Sequence, residues 1–187
     1  MLIGRAQEKK ELLDAFASDY SEFIAVYGRR RVGKTFLIRE TFNYKFTFQH
    51  TGMANTTSKN QLVNFRDSLI EQGATKVPKL NNWLEAFSEL KRFLNTSTNE
   101  RKLVFIDELP WLDTPKSDFL SALESHQEIP LWEKNDECDS EVPARIALPK
   151  NLFIIGTINV DETTYMFSPK VLDRANVIEF KISENEM

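Results

Sequence analysis

Short apolar runs and longer amphipathic stretches follow one another along this 187-residue chain. The segments that predict strands are 23–27, 44–49, 103–106, 152–155 and 177–180. The segments that predict helices are 5–18, 32–40, 62–69 and 83–94. The segments 23–27, 103–106 and 152–155 are continuous apolar runs, which are typical of strands buried on both faces. Because helices separate the strands, the pattern favours an α/β fold with a parallel sheet, right-handed crossovers and helices on both faces.

One part of the chain departs from this rhythm. Apolar segments at 129–132 and 144–148 flank an acidic, polar stretch at 133–141. This arrangement predicts a β-hairpin that projects from the body as an insertion spanning about 128–149. Since the sequence contains no internal repeat and no low-complexity tract, we expect residues 1–187 to form a single domain.

Composition narrows the class of protein. The chain is 41% hydrophobic and 28% charged with a net charge of −4 at pH 7, as in soluble globular proteins. Its apolar runs are far shorter than a membrane helix, and its first residues are charged where a signal peptide is apolar. Cys138 is the single cysteine, so no internal disulfide can form. We therefore expect a cytoplasmic protein that does not enter the membrane, and the acidic balance predicts that any DNA contact is indirect.

The most specific motif is the segment G-R-R-R-V-G-K-T at 28–35, here called the phosphate loop. It lies between a predicted buried strand and a predicted helix and matches the phosphate-binding pattern G-x-x-x-x-G-K-[ST]. In this pattern Lys34 reaches the β- and γ-phosphates, and the hydroxyl of Thr35 binds Mg²⁺. The predicted phosphate contacts are Gly28, Arg29, Arg30, Arg31, Val32, Gly33, Lys34, Thr35 and Phe36. Solvated loop charge is the alternative role for the three arginines.

A strand that ends in carboxylates follows at 102–108. Asp107 is predicted at the carboxyl end of this strand, where open α/β sheets bind their ligands. We expect Asp107 to hold Mg²⁺ through a water, and Glu108 to orient and polarise the water that attacks the nucleotide. The alternative is an ordinary strand end that meets solvent.

Two more polar groups are candidates for the same site. Asn159 comes directly after the segment 151–158, which contains the predicted strand 152–155. Its amide can hydrogen-bond the attacking water or the γ-phosphate there. The alternative is an asparagine that begins a turn. The segment 168–175 predicts a short helix that Ser168 caps. Arg174, near the end of this helix, either forms a surface ion pair or reaches a γ-phosphate in a neighbouring subunit. Glu108, Lys34, Asn159 and Arg174 are the predicted catalytic residues.

Together these motifs resemble the AAA+ branch of P-loop ATPases. Residues 1 to about 124, which include the phosphate loop and the acidic strand end, look like archaeal-type AAA ATPases. Residues from about 121 to 180 are similar instead to the motor of McrB-type restriction systems, most specifically at 148–164 and 167–176. The chain therefore resembles a composite of two families that meet near 119–124.

The resemblance implies a P-loop NTPase (AAA+/ASCE) parallel sheet of order 5-1-4-3-2, counting the five predicted strands along the chain. It implies that Gly4 and Arg5 lie near the nucleobase, that Asn159 is the polar residue called sensor 1, and that Arg174 lies in the arginine-finger region. Both families place a helical lid after the last strand. Since this chain ends at Met187, we expect it to contain no such lid.

The expected activity is Mg²⁺-dependent binding and hydrolysis of ATP, by the motor part of a DNA-processing or restriction and defence complex. The expected assembly is a homo-oligomer in which the arginine acts in trans, with a nuclease as a candidate partner. A nucleotide-binding switch or scaffold with little turnover, a GTPase of the McrB type and a folded chimera without function are the alternatives. ATP is preferred to GTP because the predicted base-facing residues belong to the archaeal-type half.

Overall fold

The computed structural model describes residues 5–18, 20–114, 117–124, 129–130, 145–146, 151–159 and 175–180. The strands are β1 (Glu22–Gly28), β2 (Phe48–Thr51), β3 (Lys102–Asp107), β4 (Ile129–Pro130), β5 (Arg145–Ile146), β6 (Leu152–Asn159) and β7 (Asn176–Glu179). The helices are α1 (Ala6–Phe16), α2 (Lys34–Thr41), α3 (Ser58–Glu71), α4 (Trp83–Leu94) and α5 (Phe119–Glu124), with a 3-10 helix at Leu109–Leu112.

Five strands form one parallel sheet in the order β2-β3-β6-β1-β7. Numbered along the chain and read from the β7 edge, this is the predicted order 5-1-4-3-2. The register of β1 and β6 places Gly28 opposite Asn159, so the phosphate loop leaves the sheet beside Asn159. The α/β class, the parallel sheet and its strand order are confirmed.

Apolar side chains fill two layers, one on each face of the sheet. Helices α3, α4 and α5 cover one face and contribute fully buried aromatic residues, among them Phe65 and Trp83. Helices α1 and α2 cover the other face. Successive residues of β3 alternate between the layers, with Val104 in the first and Phe105 in the second. Burial on both faces explains why the central strands are continuous apolar runs.

The second strand differs from its prediction. The alternation at 44–49 predicted a strand there, but β2 begins only at Phe48. Asn43 and Tyr44 have left-handed backbone conformations, with φ of 51° and 58°, as the chain turns away from α2. Phe46 then packs against the α1 and α2 layer from a loop, while Phe48 lies in the opposite layer. The alternation therefore reflects a turn followed by a loop rather than one face of a strand.

The predicted hairpin is described only at its base. Strands β4 and β5 are antiparallel, and Ile129 pairs with Ile146. The predicted tip at 133–141 and all but the last residue of the predicted helix at 168–175 lie outside the described residues. Within the part of the chain that is described, no helix has the length and apolar character needed to cross a membrane.

Candidate functional site

The phosphate loop joins the end of β1 to the start of α2, and its last glycine sets the geometry. Gly33 has a φ of 97° at the N-terminus of α2, whereas an added Cβ would meet no atom of the described residues within 4 Å. The backbone conformation, rather than lack of space, therefore favours glycine here. The first helical hydrogen bond runs from Leu37 N to Gly33 O at 2.8 Å. The amides before Leu37 at this helix end are thus placed to face an anion.

Lys34 is the first residue of α2, and its ammonium lies under the phosphate loop. The side chain is only 5% exposed. Its Nζ donates to Gly28 O at 2.8 Å, to Arg29 O at 2.6 Å and to Asn159 Oδ1 at 2.7 Å. The ammonium therefore connects the ends of β1 and β6, and its positive charge lies beside the loop that would hold phosphates.

Asp107, at the end of β3, accepts hydrogen bonds from the hydroxyl groups of two threonines on neighbouring elements. Thr35 Oγ1 donates to its carboxylate, with distances of 3.0 Å to Oδ1 and 3.2 Å to Oδ2. Thr157 Oγ1 donates to Oδ1 at 2.5 Å and accepts from Glu108 N at 2.8 Å. Sequence reasoning missed Thr157, although a polar residue two positions before Asn159 in an apolar strand is a signal that could have found it.

Glu108 follows β3 with a left-handed backbone, φ 55° and ψ 44°. For a residue with a side chain this conformation costs about 1–2 kcal/mol, so its surroundings must hold it in place. Asn159 Nδ2 donates to Glu108 Oε2 at 2.5 Å, while Asn159 Oδ1 accepts from Lys34. A chain of hydrogen bonds therefore runs from the ammonium of Lys34 through the amide of Asn159 to the carboxylate of Glu108. This chain fixes which way the amide points.

A cavity of about 600 Å³ opens above these groups, within the usual volume range of ligand sites. Its lining residues are Arg30, Arg31, Gly33, Lys34, Thr35, Phe36, Gly52, Ala54, Glu108, Trp111 and Asn159. Of the predicted phosphate contacts outside this lining, Gly28 and Arg29 contribute carbonyls to Lys34, and Val32 packs against the α1 and α2 layer. Sequence reasoning missed Gly52 and Ala54, in the loop after β2, and Trp111, in the 3-10 helix after β3. These two connecting segments are called the loops after β2 and β3 below.

The residues predicted near the nucleobase are described only in part. The guanidinium of Arg5 lies over the ring of Phe180, 4.1 Å from its centroid, and Arg5 Nη1 donates to Glu8 Oε1 at 2.8 Å. Phe180 N donates to Tyr27 O at 2.7 Å, so Arg5 is near the start of the phosphate loop. Arg5 is outside the cavity lining. Gly4 and Arg174 lie outside the described residues.

These residues fit a nucleotide with Mg²⁺. The helix N-terminus and the ammonium of Lys34 suit a polyphosphate, and the hydroxyl of Thr35 and carboxylate of Asp107 are hard oxygen ligands. Among the described residues, no group of three or more His, Cys, Asp or Glu could hold a metal ion. Few protein ligands are what Mg²⁺ needs, because it binds through one or two carboxylates together with substrate phosphates.

Residues 1–132 match the family model described as the AAA ATPase domain. The chain belongs to this AAA ATPase family. Among solved structures, the Walker-type ATPase PABY2304 of Pyrococcus abyssi is similar, with a TM-score of 0.59 over 99% of this AAA ATPase chain at 18% identity. The alignment covers 55% of the Pyrococcus chain, so this chain spans about half the length of that relative. No curated protein matches it.

Family membership confirms the AAA+ P-loop resemblance, and the structural similarity confirms the fold. Membership also indicates the use of a nucleotide, which in this AAA ATPase family is typically bound with Mg²⁺. The division into an archaeal-type half and a McrB-type half stays a prediction, as do the roles of the individual site residues.

Proposed function

We propose that this AAA ATPase domain binds ATP with Mg²⁺ at the phosphate loop and hydrolyses it. The observation that carries the proposal is the contact of complementary groups at the adjoining ends of three parallel strands, around one cavity of about 600 Å³. The groups are the ammonium of Lys34, the hydroxyl of Thr35, the carboxylates of Asp107 and Glu108, and the amide of Asn159.

Each group has a distinct role in this proposal. Lys34 and the amides at the start of α2 bind the phosphate oxygens, and Thr35 and Asp107 hold Mg²⁺. A bound Mg²⁺ neutralises charge on the phosphates. The carboxylate of Glu108 orients the attacking water and accepts its proton, while Asn159 holds that carboxylate in place.

The wider role proposed for the chain is that of a motor within a DNA-processing or restriction and defence complex. The support for this role is the resemblance of residues 121–180 to McrB-type motors. In the proposed homo-oligomer Arg174 completes the site of a neighbouring copy, which predicts that the rate per chain rises steeply with protein concentration. A constant rate per chain across the concentrations at which the chain assembles would contradict action in trans.

A nucleotide switch with little turnover is the second candidate, and the existing hydrogen bonds of Lys34 and Asn159 favour it. Lys34 already donates to Asn159 and to two carbonyls, and Asn159 already holds Glu108. A nucleotide must compete with these partners, so binding and release can change the contacts of Glu108 without rapid hydrolysis. Tight binding with a low rate that is independent of protein concentration would favour the switch.

Thermal unfolding with Mg²⁺ and ATP, and with Mg²⁺ and GTP, tests the binding step. A nucleotide at about 100 times its Kd should stabilise the fold by about 2.7 kcal/mol. Lys34→Ala should remove this stabilisation, since it deletes the ammonium at the phosphate loop. No stabilisation of the parent chain by either nucleotide would contradict the proposal, and a larger effect of GTP would favour a GTPase.

A further inference from the structure

Gln61, on α3, is a buried polar residue to which the proposed chemistry assigns no role. Its side chain is 0% exposed. Nε2 donates to Met53 O at 2.7 Å and to Trp111 O at 2.6 Å, and Oε1 accepts from Met53 N at 3.1 Å. Burial of an amide is costly unless its groups are paired, and these bonds use both N–H groups and the carbonyl. Gln61 therefore fastens two loops to α3 through their main chains.

Both of these loops form a wall of the cavity. One follows β2 and contributes Gly52 and Ala54, and the other follows β3 and contributes Glu108 and Trp111. Met53, which Gln61 holds by both its N–H and its carbonyl, lies between the two residues of the first loop. The side-chain amide of Gln61 therefore joins the two loops that form this wall, through hydrogen bonds to Met53 and Trp111.

The two loops also make close contacts with the backbone of Glu108 and of its neighbour Asp107. A Cβ added to Gly52 would lie 2.6 Å from Glu108 O and 3.2 Å from the Cβ of Trp111. Trp111 N donates to Glu108 O at 3.1 Å, and Gly52 N donates to Asp107 O at 2.9 Å. The left-handed conformation of Glu108 therefore persists between main-chain contacts on both sides, and the segments that make those contacts are the ones that Gln61 joins.

We propose that Gln61 is a positioning residue for hydrolysis: by fixing the loops after β2 and β3, it keeps the carboxylate of Glu108 directed into the cavity. This inference rests on the proposed ATPase function. Gln61 has no contact with Lys34, Thr35 or Asp107 among its hydrogen bonds within the described residues. Its loss should therefore reduce kcat while leaving nucleotide affinity intact.

The decisive variant is Gln61→Leu, which keeps the side chain close in size but removes the amide. We expect kcat for ATP to fall about 10- to 100-fold, since small misplacements of a reacting group have effects of this size. We expect Kd for ATP, measured by titration with Mg²⁺ present, to change by less than about twofold. An equal loss in kcat and affinity would overturn the inference, because it would indicate general damage to the site.

Gln72→Leu is the matched control. Gln72 lies on the same side of the sheet just after α3 and makes the same three kinds of bond to main chain, at Gln49 N, Gln49 O and Ser68 O, each 2.8 Å. Two of these bonds are to β2 and the third is to α3, and none involves a residue that lines the 600 Å³ cavity. Gln72→Leu should therefore leave kcat and Kd unchanged at a temperature where it is folded. If Gln61→Leu lowers kcat no more than this control does, the positioning role is wrong.

Gly52→Ala supplies an independent test that keeps Gln61 in place. Its methyl group would crowd Glu108 O, so we expect the same selective loss of kcat, and this variant decides the matter if Gln61→Leu does not fold. A normal kcat in Gly52→Ala would overturn the inference. A parent chain that binds no nucleotide or shows no hydrolysis would overturn the proposed function. If hydrolysis is lost in Glu108→Gln but kept in both Gln61→Leu and Gly52→Ala, only the role of Gln61 would be overturned.

Discussion

The candidate site and the outer edge of β2 use polar side chains in different ways. At the site, the side chains proposed for metal binding and hydrolysis contact one another, as Thr35 does with Asp107 and Asn159 with Glu108. At the β2 edge, side chains of and beside α3 contact the main chain of the strand, as Gln72 does with Gln49. A bound ligand can replace the first kind of partner but not the second.

This difference leads to different consequences of substitution. Side-chain partners at the site can be exchanged for phosphate oxygens, Mg²⁺ or water, so changes there should affect binding and hydrolysis more than folding. Main-chain partners at the β2 edge are fixed parts of the sheet, so changes there should affect the free energy of unfolding. The edge also borders a smaller cavity of about 290 Å³ that includes His50 and Glu71. The following variants test this division, from the largest expected effect to the smallest.

Glu108→Gln should lower kcat for ATP by about 10²- to 10⁴-fold, because an amide cannot accept the proton of the attacking water. Affinity for ATP should be retained, as Lys34 and Thr35 are unchanged. Phosphate release and nucleotide titration measure the two quantities separately. Glu71→Gln makes the same change at the β2 edge and should have no effect on either, and a comparable loss of kcat there would contradict the division.

His50 should make the β2 edge sensitive to acid. Ser68 Oγ donates to Asn64 O, so we infer that His50 Nδ1 donates to Ser68 Oγ at 2.9 Å. His50 Nε2 is buried and has no hydrogen-bond partner within the described part of the chain. Burial lowers the pKa of His50 from 6.5 to about 4, so the imidazole is neutral in the folded chain.

The unfolded chain therefore takes up a proton at His50 at a higher pH than the folded chain does. The free energy of unfolding is therefore unaffected by His50 above about pH 6.5. It falls by a total of about 3 kcal/mol as the pH is lowered towards 4. Urea unfolding of the parent and of His50→Phe at pH 7 and pH 4.5 measures this slope. The variant should lose less stability on acidification, and parallel slopes in the two chains would contradict the assignment.

Thr35→Val should weaken the Mg²⁺ dependence of nucleotide binding at the site by about tenfold or more, because valine has nearly the same shape but offers no oxygen to a metal. Titration of ATP with Mg²⁺ and with EDTA gives the ratio of the two affinities. Thr41→Val, on the same helix, is the control and should leave this ratio unchanged. An unchanged ratio in Thr35→Val would mean that its hydroxyl does not bind the metal.

Gln72→Leu should lower the free energy of unfolding by about 1–2 kcal/mol, because it leaves main-chain groups of Gln49 without their partner. Urea unfolding at pH 7 measures this change. The division between the two regions predicts that nucleotide still stabilises this variant as much as the parent. A reduced stabilisation by ATP would show that the β2 edge and the site are coupled.

The sequence made much of the fold and part of the site predictable, since the relevant signals are local. Apolar runs that end in glycine or in polar residues define both the strands and the sheet end at which they meet. The contact between Lys34 and Asn159, which are 125 positions apart, follows from that arrangement once the strand order is known.

Other features depend on tertiary contacts that leave no local pattern. Gln61 lies on a helix with no sequence motif, and its partner Trp111 is 50 positions away. The left-handed backbone of Glu108 could not be predicted either, because glutamate has no intrinsic preference for positive φ. The role of Gln61 and the conformation of Glu108 can therefore be recognised only from the three-dimensional structure.

The bond pattern of Gln72 has a consequence for how copies of this chain can associate. An exposed edge strand is a template on which another chain can add a strand, and proteins that leave it open tend to aggregate or exchange strands. The carboxamide of Gln72 occupies both the N–H and the carbonyl of Gln49, as a neighbouring peptide group would. Any oligomer of this chain should therefore join through side-chain surfaces rather than by extending its sheet from β2.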